Sequence, residues 1–422
     1  MKKRILALGL CLGLMLSLAG CGGRACGSEA LREDLMADVQ AEAHPVSVEL
    51  KDAEMEALAV ADFSVRLFQE SEQKGENTLV SPLSVLCALA MTANGARGET
   101  LDQMESVLGL SIEQLNAYLY AYRLALPSGE KHQLNLANSI WIKEDSKLQV
   151  EKDFLQSNAD WYDADVYRAP FDDSTVKAIN AWVKEQTEGM IPDILDRLSA
   201  DTVLCLVNAL AFQAEWQRIY YEHQVSDGLF TTEDGSQRAV EFMYSDEFSY
   251  LDDGRATGFM KFYNDQAYAF VALLPNEGTS LSDYIASLTG ESLRALLSNA
   301  QETEVETAIP KFESTCALEM GKILQTMGMT DIFDPARADL SGVGTTSAGP
   351  LYVDRVLHKT FLTVDERGTK AGAATVVAEA ATAEEPPDQK KTVYLDRPFL
   401  YLIVDREAGL PIFMGTVTDI RS

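Results

Sequence analysis

The stretch Val364-Asp365-Glu366-Arg367-Gly368-Thr369-Lys370-Ala371-Gly372-Ala373-Ala374-Thr375-Val376-Val377 constrains the fold most, because it is a strand of small residues with no neighbouring strand to pair with. It precedes a strongly apolar C-terminal block, Val393 to Val404, and runs into an acidic, proline-bearing tip. Ala, Gly and Thr carry little bulk, so such a segment slides into a crowded slot where charged or branched side chains would jam. It reads as a segment built to insert, and an exposed strand able to add to a sheet stores free energy and can report its own cutting.

The rest of the chain supplies helices first and sheets later. Met55, Leu58, Ala59, Phe63, Leu67 and Phe68 set an apolar stripe on one helix face. Asn77 to Ser84 is a short strand ending in a helix start, with Ser81 as N-cap and Pro82 in the first turn. That helix runs to Ala93, and two more follow near Glu99 to Leu108 and Ile112 to Arg123. Strand signals cover Leu134 to Ile142 and Val166 to Phe171, and Asn180 to Glu188 is an amphipathic helix stopped by Gly189. Thr202 to Phe212 is an almost unbroken apolar run, the pattern of a strand buried on both faces. Further strands are predicted at Ala267 to Leu274 and Val305 to Phe312, with a helix over about Ala317 to Met327. Without βαβ alternation or internal repeats, the order implies α+β in one domain.

At 422 residues, with 46% apolar and 24% charged residues, the chain can bury a large core. A formal charge of -30 disfavours nucleic acid, heparin-like polyanions and anionic lipid as partners, since each is repelled at long range. Lys2-Lys3-Arg4, the apolar run Ile5 to Leu18 and the closing Leu18-Ala19-Gly20-Cys21 make residues 1–20 a secretory signal rather than a spanning helix. Leu-Ala-Gly before cysteine resembles a bacterial lipobox, which implies cleavage before Cys21 and lipidation of its sulfur. Residues 21–50 then read as a polar, flexible tether, placing a domain of residues 51–422 outside the cytoplasm on a bacterial cell surface or periplasmic face. Cys26, Cys87, Cys205 and Cys316 show neither CxxC nor His-paired metal spacing, so no disulfide framework is claimed, Cys87, Cys205 and Cys316 are expected as buried or unpaired thiols, and no metal or cofactor is expected.

From about residue 55 to 420 the sequence resembles the serpins. Asn77 to Met104, Leu136 to Trp141, Asn180 to Val183 with Thr187 to Ile191, and Leu206 to Phe212 with Trp216 carry the likeness. So do Ile309-Pro310-Lys311-Phe312, Ala338 to Gly342, Asp396 to Ile403 and Phe413-Met414-Gly415. Leu136 to Trp141 resembles the edge of the family's main sheet, and the Asn180 helix the one lying across it. Gln213-Ala214 replace the Lys-Gly pair usual before the tryptophan, and Gln217 to Gln224 is atypical.

The resemblance implies a serpin fold, a helical bundle around a large mixed sheet with further antiparallel sheets, and a reactive loop over about 366–392. It implies inhibition of serine endopeptidases without catalytic residues of the chain's own. The protease forms an acyl-enzyme on the loop, which then inserts into the main sheet with the protease attached. The hinge is Glu366, Gly368, Thr369, Ala371, Gly372, Ala373, Ala374 and Thr375. Counting about sixteen residues beyond Glu366 puts the reactive bond at Thr382-Ala383. Small residues there suit an elastase-like target, and the lack of Arg or Lys between Ala371 and Gln389 disfavours a trypsin-like one. Ser81, Ser84, Asn208 and His358 match the family's shutter, and Trp216, Lys311 and Glu366 the breach where the loop enters. A monomer whose partner is a serine protease is expected; the alternative is a non-inhibitory serpin acting as a surface binding protein. A hydrolase built on Ser128-Gly129-Glu130-Lys131, or on Ser84 with His358 and Asp365, lacks the strand-to-helix setting such nucleophiles need.

Overall fold

The computed structural model describes residues 32–420, apart from 128, 130, 200, 348 and 370–389. The first half contains β1 (Glu33–Asp34), α1 (Glu54–Ser71), β2 (Leu79–Val80), α2 (Pro82–Ala93), α3 (Gly98–Leu108), α4 (Ile112–Ala125), β3 (His132–Lys143) and β4 (Gln149–Val150). Next come α5 (Lys152–Tyr162), β5 (Asp165–Ala169), α6 (Asp173–Gln186) and β6 (Leu204–Glu215). The second half is mainly strands: β7 (Val225–Thr231), β8 (Gln237–Glu247), β9 (Tyr250–Asp252), β10 (Ala256–Phe262) and β11 (Tyr268–Pro275). After α7 (Leu281–Ala286) and α8 (Gly290–Ser298) follow β12 (Val305–Pro310), β13 (Phe312–Glu319), α9 (Gly321–Met327) and β14 (Gly344–Thr345). The last elements are β15 (Arg355–Val364), β16 (Gly368–Thr369), β17 (Lys391–Tyr394), β18 (Phe399–Asp405) and β19 (Leu410–Val417).

The strands form a seven-stranded mixed sheet ordered β1-β5-β3-β6-β16-β15-β13, a six-stranded sheet β2-β19-β18-β11-β10-β9 and a four-stranded sheet β17-β12-β8-β7. The α+β class read from the sequence is the observed one. β6 lies inside the seven-stranded sheet, and alternation along it explains its unbroken apolar run. Leu204, Leu206, Leu210 and Phe212 enter the main core, whereas Cys205, Val207 and Ala209 pack with Trp182, Ile179 and Val183 of α6. Both faces are thus covered, as a double-sided apolar strand requires. On the core side lies α2, every residue of which is buried. A helix apolar all round has no solvated face to offer, so it belongs in an interior.

Three sequence-level boundaries shift. Leu136 to Trp141 is not at the sheet's edge: β3 has β5 on one side and β6 on the other. The strand read over Val305 to Phe312 breaks at Lys311 into β12 and β13, which belong to different sheets. Ala317 to Glu319, expected as helix, continue β13 in pairing with β15, and helix begins only at Gly321. Good helix formers there are overridden by the sheet partner alongside.

Residues 32–50, within the expected flexible tether 21–50, are docked on the body. Glu33 and Asp34 add to β5 as an edge strand, and Glu33 takes two hydrogen bonds from Arg168. The Arg32 guanidinium lies 4.3 Å above the Tyr167 ring. Farther on, His44 stacks on Trp161 with centroids 4.3 Å apart and bonds Asp160 Oδ2 at 3.1 Å. The segment carries no sustained apolar period, yet strand pairing, these aromatic contacts and the packing of Leu35, Met36, Val48 and Leu50 against the core hold it.

A candidate site at the seam of the large sheet

β15 and β6 pair directly, in parallel, from Arg355↔Cys205 to Phe361↔Ala211. Above that they are separated by β16, whose Thr369 is opposite Val364 on one side and Ala214 on the other. Val364 and Ala214 are as far apart in sequence as His358 and Asn208, a separation of 150 residues, so one register runs through both parts. Prolonging β16 downward therefore requires β15 and β6 to move apart sideways, without sliding.

The closed part of the seam is fastened by the four residues expected as a shutter. Ser81, Ser84, Asn208 and His358 are fully or almost fully buried and lie together. The β2–α2 connection places the serines: Ser81 is extended at the helix N-cap, where its Oγ accepts from the Ser84 amide at 3.3 Å. The Ser81 amide donates to His358 Nε2 at 3.0 Å. An amide can only donate, so Nε2 is the acceptor, and the ring proton sits on Nδ1, which donates to Asn208 Oδ1. Asn208 Nδ2 then donates to the Ser84 carbonyl at 2.5 Å and to Asn138 Oδ1 on β3. Burial pushes the His358 imidazole down to about 3, so the ring is neutral. One histidine thus links β15, α2 and β6. Asn138 is a member that sequence reasoning missed; its register opposite Asn208 on β3 is the signal that finds it.

At the top of the seam, residues 365–368 form a tight bend. The Asp365 carboxylate accepts from the Arg367 and Gly368 amides at 2.8 and 3.2 Å, and the Asp365 amide donates to the Gly368 carbonyl at 3.0 Å. Gly368 has φ +154°, and a Cβ there would stand 2.0 Å from the Ala214 carbonyl oxygen, so glycine is required. Thr369 is wholly buried, its hydroxyl 2.6 Å from that of Tyr263. Trp216 stacks on Tyr263 at 4.4 Å, donates from its indole to the Asp365 carbonyl at 2.8 Å, and donates from its amide to Arg367. Lys311 bonds both Glu366 and, at 2.9 Å, Glu241. Partial burial opposes charge on Lys311 and Glu366, but their hydrogen bonds outweigh it, raising the lysine and lowering the glutamate.

Trp216, Lys311, Glu366, Gly368 and Thr369 thus meet at one place. Ala371, Gly372, Ala373, Ala374, Thr375, Thr382, Ala383 and Cys21 lie outside the described residues, as do Ser128 and Glu130. The Ser84–His358–Asp365 arrangement does not form: Ser84 Oγ is buried without a hydrogen-bond partner, and both His358 nitrogens are engaged elsewhere. Cys87, Cys205 and Cys316 are free thiols, each pushed up chiefly by burial. Among the described residues no cluster of His, Cys, Asp or Glu suits a metal ion, and no helix is long and apolar enough to cross a membrane.

A family model described as "Serpin (serine protease inhibitor)" matches residues 58–420. Alpha-1-antiproteinase of Rattus norvegicus is 31% identical over 85% of this chain and 88% of its own length. Leukocyte elastase inhibitor of Equus caballus is 30% identical over 86% of this chain and 99% of its own. Among solved structures, the thermophilic serpin tengpin in its native state aligns with TM-score 0.87 and 46% identity, covering 92% of this chain and all of that one. The same serpin in its latent state aligns at 0.78. The chain is thus more similar to the structure of the native state.

Proposed function

Given that the chain belongs to the serpin family, whose relatives include protease inhibitors, we propose that it is a suicide-substrate inhibitor of serine endopeptidases. One observation carries the reading most: two hinge residues are already strands of the large sheet, in a register that the remaining loop can continue. The target serine attacks the Thr382 carbonyl carbon, the bond to Ala383 breaks, and the amine end leaves with a proton. Residues from Lys370 onward then enter between β15 and β6 with the esterified protease attached. By register, Thr375 would come to lie between His358 and Asn208, so their hydrogen bond must part. The native fold is accordingly a kinetically trapped state.

An elastase-like target is part of the proposal. Ala380-Ala381-Thr382-Ala383 suits a shallow primary pocket, and a relative is named for elastase inhibition. Lipid attachment at Cys21, with the domain held outside the cytoplasm, is the proposed location.

The test mixes the mature protein with elastase-like, subtilisin-like, trypsin-like and glutamate-specific serine proteases. A complex that survives boiling in denaturant supports the inhibitor, and sequencing the released C-terminal peptide locates the bond. Plain cleavage by all four, with no complex and no rise in thermal stability, refutes it in favour of a non-inhibitory binding protein.

A further inference from the structure

Beneath the bend lies a buried ion pair that neither the shutter nor the breach pair includes. Lys261 of β10 is 1% exposed, and its Nζ is 2.6 Å from Glu247 Oε1 at the end of β8. The ammonium stands 4.3 Å from the Tyr220 ring centroid and 5.5 Å from that of Trp216. Ser245 Oγ closes the cage, 2.7 Å from Glu247 Oε1 and 3.1 Å from the Tyr220 hydroxyl. Burial opposes the charge on Lys261, but Tyr220 and Glu247 outweigh it, and the group is held above its usual range.

The two aromatics that face this ammonium are the two residues whose amides hold the bend. The Tyr220 amide donates to Glu366 and the Trp216 amide to Arg367, both at 2.8 Å. A buried ion pair gives little stability compared with well-packed apolar groups of the same volume, and in some proteins its role is to fix the geometry of what surrounds it.

We propose that Lys261 is a positioning residue for loop insertion: paired with Glu247, it places Tyr220 and Trp216 so that their amides keep residues 366 and 367 in the bend from which the entering strand grows. The inference rests on the insertion step of the inhibitor reading and is independent of whether a protease is trapped.

The experiment cuts the loop of the full mature protein with a subtilisin-like protease and follows the gain in melting temperature with time. Lys261→Met/Glu247→Leu removes the pair without stranding a charge and should melt like wild type before cutting, yet gain stability about tenfold more slowly afterwards. Tyr220→Leu keeps the ion pair and removes the ring, and the same slowing is expected, which guards against a double variant that fails to fold. Wild-type rates in either variant overturn the inference while leaving the inhibitor reading intact. Wild-type protein that gains stability without ever forming a boiling-resistant complex overturns the inhibitor reading and leaves the inference standing. No gain in the wild type overturns both.

Discussion

His358 and Asn208 face each other across the closed part of the seam and share a hydrogen bond between β15 and β6. The insertion proposed above breaks that link, whereas a proton on the imidazole breaks a different one: Nε2 then can no longer accept from the Ser81 amide, while Nδ1 still donates to Asn208.

The folded imidazole titrates at about 3, against 6.5 when unfolded. Between those values the unfolded chain binds the extra proton, so this group's stabilisation is complete above about 6.5 and lost as pH falls towards 3. The slope is at most about 1.4 kcal/mol per pH unit. Chemical denaturation at pH 4.5 and 7 should show the difference in wild type and a smaller one in His358→Gln; equal slopes would assign the acid sensitivity elsewhere.

Thr369→Arg places a charge where the side chain is wholly buried against Tyr263. The uncompensated charge costs several kcal/mol, on the order of a broken buried pair, which expels the hinge from the sheet. Denaturing gels should show the protein cleaved as an ordinary substrate at an undiminished rate, with complex yield down at least about tenfold.

Gly368→Ala meets both a strained φ and the Ala214 carbonyl. The backbone term alone is roughly 1–3 kcal/mol. The expected readout is Trp216 fluorescence shifted towards that of a solvated indole, because its amide and indole partners at 365–367 move away. An unshifted spectrum would mean that the bend tolerates a side chain.

Trp161→Ala removes the stacking partner of His44. The loss is roughly 1 kcal/mol and is borne locally by residues 32–50. Limited proteolysis should cut that segment faster while the sheet's amide protons exchange as before. Cutting at the wild-type rate would show that β1 and the contacts to Asp160 and Tyr167 secure it without the stack.

What the sequence disclosed depended on how locally each feature is encoded. The Ser81-Pro82 cap lies within four residues, and the double-sided burial of β6 is written along one strand, so both were legible. The shutter and breach residues are dispersed, and only the family likeness gathered them. Lys261 stayed hidden because a lysine in Gly-Phe-Met-Lys-Phe reads as a solvated side chain, and its carboxylate partner comes from another sheet. The docking of residues 32–50 was equally illegible: its partners Trp161, Tyr167 and Arg168 are far off in sequence, and its core-facing Leu35, Met36, Val48 and Leu50 follow no sustained period.

The bend at Asp365–Gly368 gives the loop its own seed. Nucleating a strand in a sheet normally demands that chain ends find each other and close a loop, an entropic cost set before any pairing is gained. Here Thr369 is already seated, so that, under the proposed mechanism, the cost is borne during folding and not when a bond in the loop is cut. For the insertion proposed above, what remains is propagation, one residue pair after another, along a path that crosses the His358–Asn208 link. In the proposed inhibitor, the race against a protease finishing its hydrolysis would begin with strand nucleation already behind it.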